Sequence, residues 1–361
     1  MKGRMKGRAI MGRELRINQN VISDDTDCYV IAEVGHNHQG DLEKAFELFR
    51  AAKLAGANAV KLQKRDNRNL YTRALYQKPY DHENSFGKTY GEHREHLEFR
   101  RDEYQALVKL AREIKIDLFA TAFDQSSADF LVEFDLPAFK IASGDLRNTP
   151  LLKHVAGFGK PVILSTGAAT LEDVRRAYDT VAPLNPQICI LQCTAGYPAR
   201  FEELDLRVIT TFREVFPESV IGLSAHDNGI AMAVAAYVLG ARVVEKHFTL
   251  NRALKGTDHA FSLEPLGLQK TVRDLRRTRV ALGNGVKRIY PSEEPALIKM
   301  GKQLVAARDL EAGQVLTEGD IAIKSPGGEG FFPYELEQVL GKRLRKGLPV
   351  DQPICPDSIW N

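Results

Sequence analysis

Cysteine is scarce in this chain of 361 residues, and none of Cys28, Cys189, Cys193 and Cys355 stands in a C-x-x-C pair. Reduced thiols in a cytoplasmic protein are therefore expected. Cys189 and Cys193, four apart on a predicted strand, share a face and read as small buried side chains rather than a metal or redox pair. No run of 18 apolar residues occurs and no signal-peptide core follows the start, so neither a membrane span nor export is expected. Charge of one sign is also lacking, the formal net charge being only +3. Lys2, Arg4, Lys6, Arg8 and Arg13 concentrate at the start, but no aromatics interleave with them. Residues 1–13 are thus expected to form a disordered, solvated tail rather than a nucleic-acid or membrane contact. The glycine-rich patterns GxGxxG and GxxxxGK[ST] are absent, which removes support for a Rossmann or P-loop fold.

What is present is the composition of a globular enzyme, 43% hydrophobic and 27% charged residues, sufficient for one large and one small domain. Eight short, mostly apolar, β-rich runs recur: Tyr29 to Val34, Ala59 to Gln63, Leu118 to Phe123, Ala138 to Ser143, Pro161 to Ser165, Ile188 to Thr194, Val220 to Ser224 and Arg242 to Phe248. Amphipathic stretches such as 42–55, 103–113, 171–181 and 229–239 separate them, with Asp41, Thr170 and Asp227 as expected helix starts. Eight alternations over about 250 residues predict a closed (β/α)8 TIM barrel, spanning 14–283. Residues 14–23, alternating around Asn18-Gln19-Asn20, predict a hairpin closing the barrel's bottom. Residues 64–101 form an unusually long connection with few apolar residues, of the kind that serves as a lid or partner contact. Residues 284–301, rich in Gly, Pro and charge, read as a linker, and 302–361 as a small β-rich domain.

In a barrel the chemistry sits at the carboxyl ends of the strands. Every predicted strand carries polar groups there: Glu33 with His36, Asn37 and His38; Lys61 and Gln63; Thr121; Lys140, Ser143 and Asp145; Ser165 and Thr166; Gln192, Thr194 and Tyr197; Ser224 and His226; Glu245 and His247. Ser165 and Thr166 would serve equally as backbone caps. Lys61 and Lys140 lie inside apolar strands, where an ammonium must meet an anion, lose its proton or join an ion pair; anion binding and Schiff-base chemistry both follow from that placement. His226 and His247 end neighbouring strands, about 5 Å apart in strand spacing, within reach of one shared metal ion.

The ordered motifs IAEVGHNHQG (31–40), KLQK (61–64), KIASGD (140–145), ILSTG (163–167), LQCTAGYP (191–198), GLSAHDNG (222–229), VEKHFTL (244–250) and KGTDHAFSLEP (255–265), with the tail VAARDLEAGQVLTEGDIAIKSPGG, resemble the sialic acid synthases. More broadly, they resemble the nonulosonate synthases with a C-terminal antifreeze-like SAF domain of β-clip type. The resemblance covers residues 14–361. It implies condensation of phosphoenolpyruvate with an N-acetylated aldose, N-acetylmannosamine or its 6-phosphate, giving a nine-carbon 2-keto acid and phosphate. It implies phosphoenolpyruvate contacts at Lys61, Thr121, Lys140, Ser143, Ser165 and Ser224, and sugar contacts at Gln63, Tyr197 and Asp258. Catalytic roles follow for Glu33, Lys61, Lys140 and Glu245, and His226 and His247 become ligands of a divalent metal, manganese in most members, with magnesium or cobalt as alternatives. It also implies a homodimer in which the SAF domain covers the partner's barrel.

Two positions depart from the bacterial pattern, Ala195 where Asn is common and Ser325 where an Arg is common, and both bear on the acceptor sugar. The segment 85–99 (SFGKTYGEHREHLEF) resembles the animal 9-phosphate synthases, and Lys88, His93 and Arg94 there are placed either to meet a sugar phosphate or to form a solvated loop. Two competing functions stand beside the synthase: a class I pyruvate aldolase with Lys140 as Schiff base, and a non-catalytic carbohydrate-binding protein.

Overall fold

The computed structural model describes residues 12–360. Most of the expected basic tail therefore lies outside the described residues. Arg13, its last member, is not solvated: it pairs with Asp24 at 3.4 Å and donates to the carbonyl of Arg213.

Two strands, β1 (Glu14–Ile17) and β2 (Asn20–Ser23), form the expected antiparallel hairpin, pairing Leu15 with Ile22. Asn18 takes the positive φ of 49° that its tight turn needs, a conformation asparagine tolerates. Leu15, Ile17 and Ile22 are buried, and Asn18 and Asn20 donate to the two carboxylate oxygens of Asp117 at 2.6 and 2.8 Å. Asp117 opens a barrel strand, so the hairpin covers the amino-terminal end of the barrel.

The next eight strands are β3 (Tyr29–Gly35), β4 (Ala59–Lys64), β5 (Asp117–Ala122), β6 (Phe139–Ile141), β7 (Val162–Ser165), β8 (Ile188–Cys193), β9 (Val220–Ala225) and β10 (Val243–His247). All are parallel and hydrogen-bond in sequence order, and β10 pairs with β3 to close the barrel. Almost every residue in them is buried because one face packs inside the barrel and the other beneath helices, hence their continuous apolar character. The helices of this unit are α1 (Leu42–Leu54), α2 (Asn67–Leu70), α3 (Arg73–Gln77), α4 (Tyr90–His96), α5 (Arg101–Glu113), α6 (Gln125–Val132), α7 (Thr149–Ala156), α8 (Leu171–Val181), α9 (Val208–Val215), α10 (Ala231–Val238) and α11 (Pro265–Leu282). Asp41 and Thr170 cap α1 and α8 through their side chains, as expected.

Three expectations need correction. Asp227 does not start a helix: α10 begins at Ala231 after Ile230, and Asp227 is buried against Lys246 instead. The connection 64–101 is not bare loop but carries α2, α3 and α4, the last closed by a capping box between Thr89 and Glu92. Strand β6 is three residues long, because the chain tightens at once into a 3-10 turn over Ser143–Asp145.

The chain divides after Gly283 into two compact units. The second includes a 3-10 turn at Pro291–Glu293 and helix α12 (Glu294–Met300), both inside the segment expected as linker. Beyond them β11 (Gln303–Ala306) pairs antiparallel with β12 (Ile321–Lys324), and the short helix α13 (Leu336–Val339) follows. Leu304, Leu310, Leu316, Leu344, Leu348 and Ile354 give this unit its own core. Among the described residues no helix is long and apolar enough to cross a membrane.

Candidate active site

A cavity of about 620 Å³ opens at the carboxyl ends of the barrel strands. Side chains enter it from alternate strand positions, as strand geometry requires. On β4 these are Lys61 and Gln63, with Arg65 just beyond; on β10 they are Glu245 and His247, while Lys246 between them points to the outer face.

The floor is an ionic network. Lys61 Nζ lies 2.7 Å from Glu33 and 3.6 Å from Glu245, and donates to the Thr121 hydroxyl at 2.8 Å. Burial pushes the Glu33 carboxyl up to about 7, outweighing the opposing pull of Lys61. Burial also works against the charge of Glu245, but Lys61 and Lys140 hold its carboxyl below the usual range. One Glu245 oxygen receives a long contact from Ser224 at 3.4 Å, and the other is buried without a hydrogen-bond partner. Lys140 donates to Ser165 at 2.6 Å and to the carbonyl of Ile141 at 2.9 Å, and burial lowers its pKa. Ser143 accepts from the amide of Gly167 at 2.9 Å; a Cβ at residue 167 would stand only 2.8 Å from that hydroxyl, so glycine is needed there. Thr166 turns away to the carbonyl of Leu191, acting as a backbone partner.

The two histidines face each other across one corner, ring centroids 5.3 Å apart. His226 Nδ1 lies 2.8 Å from the carbonyl of Thr194, a contact that places the proton on Nδ1 and leaves the Nε2 lone pair free. His247 Nδ1 is buried without a hydrogen bond, 3.6 Å from Asp258 Oδ2, and burial disfavours its protonation. Tyr197 packs 4.2 Å from the His226 ring and Phe261 4.9 Å from that of His247. Two imidazoles, one with an orphaned nitrogen, and an orphaned carboxylate oxygen on Glu245 are a fitting donor set for a borderline divalent ion. Among the described residues no group of three or more His, Cys, Asp or Glu has metal-binding geometry, so an ion here would keep positions open for other ligands.

In the upper wall, motif residues meet Arg65 and Phe123, which the motifs did not reveal. Gln63 donates to Glu33 at 2.7 Å and accepts from Arg65 at 2.7 Å. Gly35, at φ 52°, lets Glu33 and Gln63 approach; a Cβ there would press on both at 3.2 and 3.3 Å. Arg65 stacks 3.6 Å above Phe123 and reaches His36, which also meets Arg94. Cys193, expected as packing, lines the cavity beside Ser143 and His226.

The thirteen residues that the resemblance assigns to the site (Glu33, Lys61, Gln63, Thr121, Lys140, Ser143, Ser165, Tyr197, Ser224, His226, Glu245, His247 and Asp258) all line this one cavity, as do Ala195 and His36, whereas the other strand-end groups Asn37, His38, Asp145, Thr166, Gln192 and Thr194 do not. Of the segment 85–99, only Arg94 does so. His93 is buried among Tyr80, Phe86 and Tyr90, and Lys88 lies outside the lining. Ser325 lies in the second unit, where it accepts from Lys302 at 2.6 Å.

Residues 48–287 match the NeuB family and residues 302–359 the SAF domain. The chain is 40% identical over 334 residues to the human N-acetylneuraminate-9-phosphate synthase, covering 92% of this chain and 93% of that one. It is 35% identical to the N,N'-diacetyllegionaminic acid synthase of Legionella pneumophila, over 89% and 91% of the two chains. The crystal structure of the N-acetylneuraminic acid (sialic acid) synthetase of Leptospira borgpetersenii superposes with a TM-score of 0.69 at 31% identity, covering 79% of this chain and 95% of that one. With a parallel eight-stranded barrel, the ordered motifs at its carboxyl end and these matches in agreement, the chain belongs to the NeuB family and carries a C-terminal SAF domain.

Proposed function

We propose that the protein condenses phosphoenolpyruvate with an N-acetylated aldose, N-acetylmannosamine or its 6-phosphate, and water, giving a sialic acid or its 9-phosphate and inorganic phosphate. The observation that carries this reading is the facing of two buried lysines, Lys61 and Lys140, and two imidazoles, His226 and His247, into one cavity. Two buried ammonium groups with hydroxyls beside them suit an anion with phosphate and carboxylate groups. Lys61, Lys140 and the hydroxyls of Thr121, Ser143, Ser165 and Ser224 supply charge and donors for phosphoenolpyruvate. Gln63, Tyr197 and Asp258, which line the same cavity, would orient the acceptor.

In the reaction, C3 of phosphoenolpyruvate forms a bond to the aldehyde carbon, water adds at C2, and the tetrahedral carbon expels phosphate. A divalent ion held by His226 and His247, manganese with magnesium or cobalt as alternatives, would supply Lewis-acid polarisation of the aldehyde. The aldehyde oxygen gains a proton as it becomes a hydroxyl. Glu33, pushed up to about 7, is partly protonated near neutrality and suited to deliver it, with Gln63 and Lys61 fixing its two oxygens. Glu245 offsets the positive charge of both lysines between turnovers.

The test is phosphate release from phosphoenolpyruvate with manganese and a panel of acceptors, with and without a chelator. His226→Ala is expected to abolish release while leaving the circular dichroism spectrum unchanged; full activity in that variant would overturn the metal assignment. The lowered pKa of Lys140 favours, in that one respect, a class I aldolase. Borohydride trapping of pyruvate on Lys140 would establish that alternative.

A further inference from the structure

Arg65 and Arg94 converge on His36 at the cavity mouth, and the cluster has too few acceptors. Arg65 stands 2.9 Å from His36 Nε2 and Arg94 stands 3.2 Å from His36 Nδ1. A guanidinium can only donate, and a neutral imidazole has one acceptor nitrogen, so at least one of these two contacts sets a donor against a donor. Protonating His36 would make both repulsive, and burial and the two arginines oppose it. The nearby carboxylates do not repair the deficit. One Glu98 oxygen is taken by Lys64 at 3.1 Å; the other, buried without a hydrogen-bond partner, lies 3.9 Å from both Arg65 and His36 Nε2, so it offsets their charge without accepting a hydrogen bond, and it does not reach Arg94. Asp258 accepts from Thr257 and turns its other oxygen toward His247. Apart from His36 Nδ1, Arg94 has only the Tyr90 hydroxyl, at 3.1 Å, as an acceptor among the contacts described. What Arg94 lacks is an oxyanion at hydrogen-bond distance.

Its position says which substrate would bring one. Lys61 and Arg65 are four residues apart along β4 and its extension, so their backbones are separated by roughly 13 Å at the rise of an extended strand. An anion small enough to sit on Lys61 and Lys140 does not span that distance. The second anion therefore belongs to the other substrate, at the end remote from its reacting carbon. A phosphate monoester suits the site: it carries about −1.5 to −2 charge near pH 7 and offers three oxygens to two planar forks.

We propose that Arg65 and Arg94, gathered around His36, bind a terminal phosphate on the acceptor, so that the natural acceptor is a phosphorylated rather than a free aldose. This rests on the condensation reading above. The Gln63 amide joins the two levels of the cavity, donating to Glu33 and accepting from Arg65, so the phosphate and the reacting end are registered by one side chain.

The test is calorimetric binding of N-acetylmannosamine and its 6-phosphate to the full-length protein, wild type, Arg94→Gln and Arg94→Lys, in manganese without phosphoenolpyruvate. Wild type should bind the phosphorylated sugar at least about 10-fold more tightly, R94Q should lose about 10–100-fold of that affinity, and R94K should retain part of it. Equal binding of the two sugars by wild type, or an undiminished preference in R94Q, would overturn the proposal. A parallel phosphate-release assay separates the two ideas. If neither acceptor supports turnover, the condensation reading fails, and the binding preference still decides the phosphate site.

Discussion

Lys246 sits between Glu245 and His247 on β10 yet takes no part in the cavity. Its side chain is 2% exposed, and Nζ donates to the carboxylate of Asp227 at 3.0 Å and to the Asp227 carbonyl at 2.7 Å. The pair thus staples the residue after His226 to the strand that carries His247. Replacing Lys246 with Met keeps the apolar stem but leaves a carboxylate buried without a counter-charge, and one Asp227 oxygen already lacks a partner. Removing one member of such a pair costs about 3–5 kcal/mol. At about 2–4 °C per kcal/mol for a unit of this size, the melting temperature should fall by about 6–20 °C. Urea denaturation followed by circular dichroism measures the loss. The double variant Asp227→Asn/Lys246→Met should be less destabilised than the sum of the single variants, with a coupling of about 0.5–3 kcal/mol. Phosphate-release activity in K246M should fall further than its folded fraction, because the His226 loop loses its anchor. A K246M cost below about 1 kcal/mol, the value for an exposed pair, would refute the assignment of Lys246 as the staple.

At the opposite end of the barrel, Asp117 accepts from Asn18, Asn20 and the Tyr29 hydroxyl at 2.6, 2.8 and 2.7 Å. Asp117→Ala should cost about 2–4 kcal/mol in urea denaturation, since a buried phenol and two amides lose their acceptor, while kcat/KM per folded molecule stays within about two-fold. Glu33→Gln tests the raised carboxyl. A folded-state pKa lifted from its ordinary value to about 7 favours the protonated form, so the associated stability is present at low pH and is lost as pH rises through about 7. The melting temperature of E33Q relative to wild type should therefore climb between pH 5 and pH 8. A difference that does not change with pH would show that Glu33 titrates normally.

How far the sequence was informative depends on the kind of constraint. The barrel was legible because each strand is buried on both faces and so spells an unbroken apolar run, and each of the eight expected runs overlaps an observed strand. The polar residues interrupting those runs were legible for the same reason: Lys61, Lys140 and Glu245 are costly in such surroundings unless they meet one another or a ligand. Asp227 misled because Asp before a small, apolar helix has the signature of a cap, whereas its true partner, Lys246, lies 19 residues away on a neighbouring strand. Local capping rules cannot see a partner brought in by the barrel's closure.

The gathering of Arg65, His36 and Arg94 was the least legible, and the reason bears on how the cavity works. They come from the turn after β3, from the end of β4 and from the short helix α4, stretches without strand or helix periodicity long enough to fix side-chain direction. Only the fold brings the three together. The floor residues act through a shared network in which each lysine has a carboxylate or hydroxyl partner before any substrate arrives. The mouth cluster is different, because its donors outnumber its acceptors until an anion enters. A floor satisfied in advance and a mouth left short of acceptors would divide the labour: the first keeps the reacting groups aligned at rest, and the second makes the acceptor's own charge complete the wall above them.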